Sequence, residues 1–438
     1  MASIPRAAPA VLLVAGMLAV APAAQAHGGD PGAPGPHRVS TLDYTLGDRA
    51  FQVDGFHADG PDGRLADIEL TGTVHYPAGG RGPYPMVVLS HGYWATCADR
   101  EAADTQARLE AERPDDFYDD PRWLDAVTRL WQWPCAPGVA PLPSYRGYDY
   151  LAYKLASHGM VVVSISANGI NAGQIGTEAD NARSMLINKH LSLWTELVGT
   201  GGGPLAGRFT DPRTHRVMKP DFTGRVDFTR VGTLGHSRGG RGVAWHAADV
   251  HRDALPAGVR IAGVLSLAAA GAGAATNPDS PEAPLYRVTS APLAVWIGGC
   301  DSDQGLDYVE LARGHTRHPI YRWDVDGANH NFLNTQWSPA SGQVGAVDDG
   351  QGPGPGLCGT PTLGDWDPDS GTPPPPVEWI DIVHKLTEEE ERRVHTGYAT
   401  AFFRSALLGD HRFVNVISGE SHPYAEITTV DAVRFDPN

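Results

Sequence analysis

From about residue 65 onward the chain alternates between two patterns of apolar and polar positions. Residues 68–76 alternate apolar with polar side chains, the period of a strand with one buried face. Met86-Val87-Val88-Leu89, following Pro85, is a short apolar run that predicts a buried strand, and residues 160–165 predict another. Further strands are expected over 230–234, 261–267, 293–297 and 320–325. Between them the period lengthens. Tyr150, Leu151, Lys154 and Leu155 predict a helix over 148–158. Over 177–198, Ala182, Met185, Leu186, Leu193, Trp194 and Leu197 fall on one helical stripe, with Gly199 as the stop. Further helices are expected from Ser237 and over 387–408. Strands alternating with helices predict an α/β fold: a mostly parallel central sheet covered on both faces. In such sheets ligands bind beyond the carboxyl ends of the strands, so the chemistry is sought in the loops that leave that edge.

Two of those connections are long, at about 94–145 and 331–376. Both contain cysteine, and the first carries Phe117, Tyr118, Trp123, Trp131 and Trp133. They read as insertions, either a surface elaboration with its own small core or a lid and substrate wall. The remainder, 41–438, reads as one catalytic domain, preceded by a Gly/Pro-rich stretch at 27–40 expected to be a flexible tail.

Composition narrows the function. The 438 residues carry 34 Lys+Arg against 51 Asp+Glu, a net charge of −17, which argues against nucleic acid as a partner. With 41% apolar residues the chain is not a disordered one. Residues 1–26 read as a secretory leader: Arg6, then an apolar core over 11–20, then Ala24-Gln25-Ala26 as an A-x-A cleavage site. Beyond it no apolar run is long enough to span a membrane. Export, to the extracellular space or the periplasm, puts Cys97, Cys135, Cys300 and Cys358 in an oxidising compartment. Three pairings are possible. Cys97–Cys135 with Cys300–Cys358 is favoured, because each would staple one loop-rich stretch. The absence of a C-x-x-C pair leaves a zinc site unsupported, and no metal is expected.

Gly235-His236-Ser237-Arg238-Gly239 fits G-x-S-x-G, in which a serine sits on a tight strand-to-helix turn between glycines that let the two elements approach. Gly and Ser are common here, so the pentapeptide alone is weak, but a strand precedes it and a helix follows. Serine needs a base, ordinarily histidine, and in this architecture the chain order is Ser, acid, His. Of His315, His318, His330, His384, His395, His411 and His422, His330 alone follows a strand through a turn, Gly327-Ala328-Asn329. The acid is sought after the strand before it, in Gly298-Gly299-Cys300-Asp301-Ser302-Asp303. Asp301 is favoured for its G-x-x-D spacing, with Asp303 the second candidate. Oxyanion donors are expected from the backbone N–H of Arg238 and of Tyr93, or Trp94, in the loop after the 86–89 strand. Asp365, Asp367 and Asp369 before Gly371 loosely suggest a calcium loop but lack its glycine position and terminal Glu, so they read as a solvated turn.

On these residues the chain resembles the α/β-hydrolase superfamily over roughly 65–410: VVLSHGYW at 87–94, GHSRGG at 235–240, GGCDSD at 298–303 and GANHNF at 327–332. It is most similar to secreted bacterial esterases of the polyester-hydrolase, cutinase and platelet-activating-factor-acetylhydrolase group, where a Gly-Tyr pair after the third strand supplies an oxyanion donor, here Tyr93. VVVSISAN at 161–168 is similar to that group too, and GHSRGG matches the elbow of chlorophyllases. It departs from polyester hydrolases in carrying Arg238 where they usually have Met, and in its long connections. The resemblance implies a secreted serine ester hydrolase with a Ser237–His330–Asp301 triad, acting on a small or polymeric ester without a cofactor. A serine peptidase on the same fold, and a non-catalytic binding homologue, are the rival expectations.

Overall fold

The computed structural model describes residues 29–437 except 59–62, 114–115, 274–276, 278–279, 302–304, 306, 347–351 and 363–376. The strands are β1 (Val39–Thr45), β2 (Thr71–Pro77), β3 (Tyr84–Ser90), β4 (Val161–Ile165), β5 (Phe209–Thr210), β6 (Val226–His236), β7 (Ile261–Leu267), β8 (Leu293–Gly298), β9 (Ile320–Val325), β10 (Leu357–Thr362), β11 (Glu378–His384) and β12 (Val430–Phe435). The helices are α1 (Arg100–Glu112), α2 (Pro121–Trp131), α3 (Asp149–Ser157), α4 (Asn168–Asn171), α5 (Thr177–Thr200), α6 (Arg238–Ala247), α7 (Asp307–Ala312), α8 (Glu388–Leu408) and α9 (Val414–Ile417).

One sheet runs β12-β9-β8-β7-β6-β3-β4-β2-β1-β5, and β10 and β11 form a separate antiparallel pair. From β4 through β9 neighbouring strands are parallel. The pairs β2–β4, β1–β2, β1–β5 and β12–β9 at the flanks are antiparallel. The central strands β3, β4, β7 and β8 are buried on both faces, and successive side chains feed opposite layers. Met86, Val88, Val163, Val264, Leu293 and Val295 join α5, α6 and α7 in one core. Val87, Leu89, Val162, Leu265, Ala294 and Trp296 join α3, α8 and α9 in the other.

The sequence pattern located this frame well, with several corrections. The α5 helix runs past Gly199 to Thr200 and ends at Gly201, whose left-handed φ of 70° closes the cap. Met185, expected on its buried stripe, is exposed, while Arg183 and Asn188 are buried instead. The alternation starting at residue 68 becomes a strand only from Thr71, because Ile68 is held by an isolated bridge to Phe51. The edge strands β1 and β12 were not anticipated. Of residues 27–40, expected as a flexible tail, those from Asp30 onward are tied to the body of the protein. Tyr424 Oη donates to Asp30 Oδ1 at 2.5 Å, Gly35 N to Ser157 Oγ and His37 N to Ser157 O, and Val39 and Ser40 already belong to β1. The leader at 1–26 lies outside the described residues. No helix among the described residues is long and apolar enough to cross a membrane.

The chain turns back over itself at β3. After β3 it proceeds to β4 on one side; after β6 it proceeds to β7 on the other. The loops leaving β3 and β6 therefore diverge at a topological switch point, the place where open α/β sheets hold their ligands. The described residues of 91–144 and 331–346 border this edge and share a third, small core of Ala95, Ala102, Ala126, Leu130, Leu142, Trp337 and Val344.

Candidate active site

The β6–α6 junction is built by close approach. Ser237 has φ 57° and ψ −124°, a conformation that costs a non-glycine residue of order 1–3 kcal/mol. A Cβ on Gly235 would lie 2.0 Å from the Gly239 carbonyl oxygen, and one on Gly239 would lie 2.4 Å from the Ser90 carbonyl oxygen. Glycine at both positions is therefore a steric requirement of the turn. Ser237 N–H donates to Leu267 O at 3.0 Å, which locks the turn to β7. Across the switch point, a Cβ on Gly92 would lie 2.5 Å from Ser237 Cβ, so the loop after β3 is in contact with the serine.

Asp301 follows β8 and His330 follows β9. His330 Nδ1 is 2.9 Å from Asp301 Oδ2, with the carboxylate side chain 1% exposed and the imidazole 13%. Asp303, the alternative acid, lies outside the described residues, as do Asp365, Asp367 and Asp369. The loop carrying His330 is shaped by Asn329, whose Oδ1 accepts from Asn331 N and Phe332 N and whose own N–H donates to Glu391 Oε2. The His330 ring lies 5.1 Å, centroid to centroid, from that of His236, the residue before Ser237. His236 Nε2 donates to His330 O at 2.8 Å, so its Nδ1 is the acceptor for Tyr148 Oη at 2.9 Å. Burial holds the His236 pKa well below that of free histidine, and the imidazole stays neutral. The structure thus gathers Ser237, His330 and Asp301 at the carboxyl edges of β6, β9 and β8.

Tyr93 and Arg238 meet at the same edge. The Arg238 guanidinium carbon is 4.9 Å from the Tyr93 ring centroid, and Tyr93 stacks on Trp131 at 4.6 Å and 26°. Arg238 opens α6, where first-turn N–H groups have no intrahelical acceptor. The β3 loop is braced from behind. His91 Nε2 accepts from Ala167 N, which leaves Nδ1–H to donate to the Gly92 carbonyl at 2.9 Å. Asn171 Nδ2 donates to the carbonyls of Gly92 and Trp94, and its Oδ1 accepts from Arg183 at 2.6 Å. Burial lowers the Arg183 pKa to about 10, which leaves it a cation at neutral pH. Below that network Glu69, buried, accepts from Asn168 N and Gly169 N and so caps α4.

Both favoured disulfides are present, Cys97–Cys135 and Cys300–Cys358. The second joins the turn that carries Asp301 to β10 in the stretch after His330. Two disulfides fit an oxidising compartment. Among the described residues, no group of three or more His, Cys, Asp or Glu side chains is arranged to hold a metal ion.

Sequence reasoning missed His236, Tyr148, Arg183, Asn171 and Trp337. His236 was visible as the variable position of G-x-S-x-G, but nothing along the chain signals that Trp337 comes within 5.1 Å of it. No protein-family model matches this chain, and no curated protein aligns with it significantly.

Proposed function

We propose that the chain is a serine hydrolase of the α/β-hydrolase type that cleaves carboxylic esters. One observation carries the reading. A strained serine on a strand–helix turn sits beside a histidine loop whose imidazole is paired, at 2.9 Å, with a nearly buried aspartate. The strand order, with its switch point between β3 and β6, supports it.

In this reading Asp301 accepts from His330 Nδ1–H and leaves Nε2 as the base. Ser237 Oγ attacks the ester carbonyl carbon as its proton passes to Nε2. The backbone N–H groups of Tyr93 and Arg238 receive the oxyanion. Collapse breaks the bond to the alkoxy group, which leaves as the alcohol with the proton from Nε2. Water then gives a proton to Nε2 and attacks the acyl carbon. The acid departs and the proton returns to Ser237 Oγ. No step calls for a cofactor.

The stretches 94–145 and 331–376 are insertions in this reading, and their described parts wall the site, supported by Trp131 against Tyr93 and Trp337 against His236. Export as a secreted enzyme is supported by the leader-like sequence at 1–26 and the two disulfides.

The test is hydrolysis of p-nitrophenyl esters from acetyl to lauroyl by the wild type and Ser237→Ala side by side. Turnover lost in the variant is the expected result. Equal rates would remove Ser237 from the mechanism, and turnover of peptide amides but of no ester would replace the esterase by a peptidase.

A further inference from the structure

In a chain with 51 acidic side chains, arginines commonly find carboxylates. Arg241 is paired with Asp180, Arg404 with Asp410 and Arg129 with Asp99. Arg238 is different. No carboxylate among the described residues is within ion-pair distance of it. Its guanidinium lies instead over the Tyr93 ring, on the residue directly after the proposed nucleophile. It is partly exposed, and Tyr93 beneath it is held in place by Trp131. Such stacking fixes the position of the guanidinium while leaving its in-plane N–H donors free to receive an anion. A second cation, Arg183, is buried behind the same loop and reaches the His91 carbonyl at 3.4 Å. Burial raises the pKa of the Tyr93 hydroxyl, and the nearby charges of Arg238 and Arg183 oppose that rise. Two guanidinium groups thus lie near Tyr93, Arg183 with Asp180 and Glu69 acting on it and Arg238 without a carboxylate among the described residues at ion-pair distance, on a protein whose net charge is −17 and would repel anions at long range.

We propose that the preferred substrate is an ester that also carries a free carboxylate a few bonds from the scissile carbonyl, such as the half-ester of a short dicarboxylic acid, with the Arg238 guanidinium as the group that selects it. This rests on the esterase reading. The backbone N–H of Arg238 faces the oxyanion in that reading and its side chain holds the carboxylate, so one residue sets the spacing between the two. A planar guanidinium suits a carboxylate through paired N–H donors. A neutral ester of the same shape would leave that cation without its partner.

The experiment compares kcat/KM, by pH-stat, for ethyl hydrogen glutarate and ethyl glutaramate, whose terminal amide is the neutral isostere of the carboxylate. A second pair, 4-carboxyphenyl acetate and phenyl acetate, places the charge on the leaving side. The wild type is expected to prefer the charged member of one pair by about tenfold. Arg238→Gln should bring that ratio toward one, and Arg238→Lys should retain part of it. Raising salt to about 0.5 M should shrink it. Each ratio is taken within one preparation, so a loss of folded protein cancels. Turnover of p-nitrophenyl esters with a ratio near one in both pairs, or a ratio unmoved in Arg238→Gln, overturns the proposal and leaves the esterase standing. Failure to hydrolyse any ester removes the esterase reading itself.

Discussion

The imidazole of His236 is bound through Nε2 to the backbone carbonyl of His330, 2.8 Å away, and so ties the residue before the nucleophile to the residue proposed as its base. The carbonyl can only accept, so it fixes the tautomer, and the Tyr148 hydroxyl donates to the other ring nitrogen. Replacing His236 with Phe keeps a ring but strands two buried polar groups. A loss of about 1–3 kcal/mol in stability is expected from urea unfolding. An esterase kcat about tenfold lower or worse, with KM little changed, should accompany it. His236→Gln, which can still donate to the carbonyl, should recover part of the kcat. Equal kcat in the Phe and Gln variants would reduce His236 to a packing residue.

Ser237 pays for its position with backbone strain, at φ 57°. Glycine adopts such angles without steric cost. Ser237→Gly should therefore be inactive yet more stable than Ser237→Ala by about 1 kcal/mol, read as a higher urea midpoint. An alanine variant as stable as the glycine one would mean that the turn carries no strain.

The two disulfides should separate in their effects. Cys300–Cys358 closes a sequence separation of 58 residues and joins the acid's turn to β10; Cys97–Cys135 closes 38 and lies within the aromatic-rich stretch after β3. Removing either pair by double Ala substitution should cost about 2–4 kcal/mol. Only the loss of Cys300–Cys358 should also lower kcat on small esters, since Asp301 is adjacent to Cys300. Equal kcat losses in the two variants would count against a positioning role for the second bridge.

Acid should destabilise the fold ahead of any change in the site. His91, His190, His246 and His395 are fully buried, and burial depresses each to about 3. Unfolded, each takes up a proton near pH 6.5. Between about pH 6.5 and 3 the unfolded chain binds more protons than the native one, so stability is complete above that window and falls as pH drops through it. Glu69, Asp307 and Asp324, raised by burial, and Asp149, raised to about 6, act in the opposite sense, but buried His75 and His236 are depressed as well and keep the histidines in the majority. Urea unfolding at pH 7 and pH 5 should show a loss larger than the ~1.4 kcal/mol per pH unit of one group. A flat profile would require a partner for those histidines that keeps them charged.

Much of this molecule could be read along the chain. The strands β7 and β9 begin and end where the pattern put them: β7 is almost wholly buried, and β9 alternates, burying Tyr321, Trp323 and Val325 while Arg322 and Asp324 pair with each other on the part-exposed face. The serine, its glycines and the histidine turn were legible because tight turns and short-range order leave a local signature. So was the disulfide pairing favoured among three. The edges were harder. In β1 only Leu42 and Tyr44 are buried, and β12 buries Val430 and Ala432, so each offers two apolar positions and owes its form to the strand it pairs with. The docking of residues 29–38 depends on Ser157 and Tyr424, distant in the chain.

The sequence by itself determined the alternation of strands and helices and which residue types could do chemistry, since both are written in local pattern and spacing. Only the tertiary structure decided which of them meet. It set Arg238 on Tyr93 rather than on a carboxylate among the described residues, His236 on the carbonyl of His330, and Trp337 against the ring of His236. Those contacts join residues tens to hundreds of positions apart. They follow from the order of strands in the sheet and the packing of its loops, which no local period encodes.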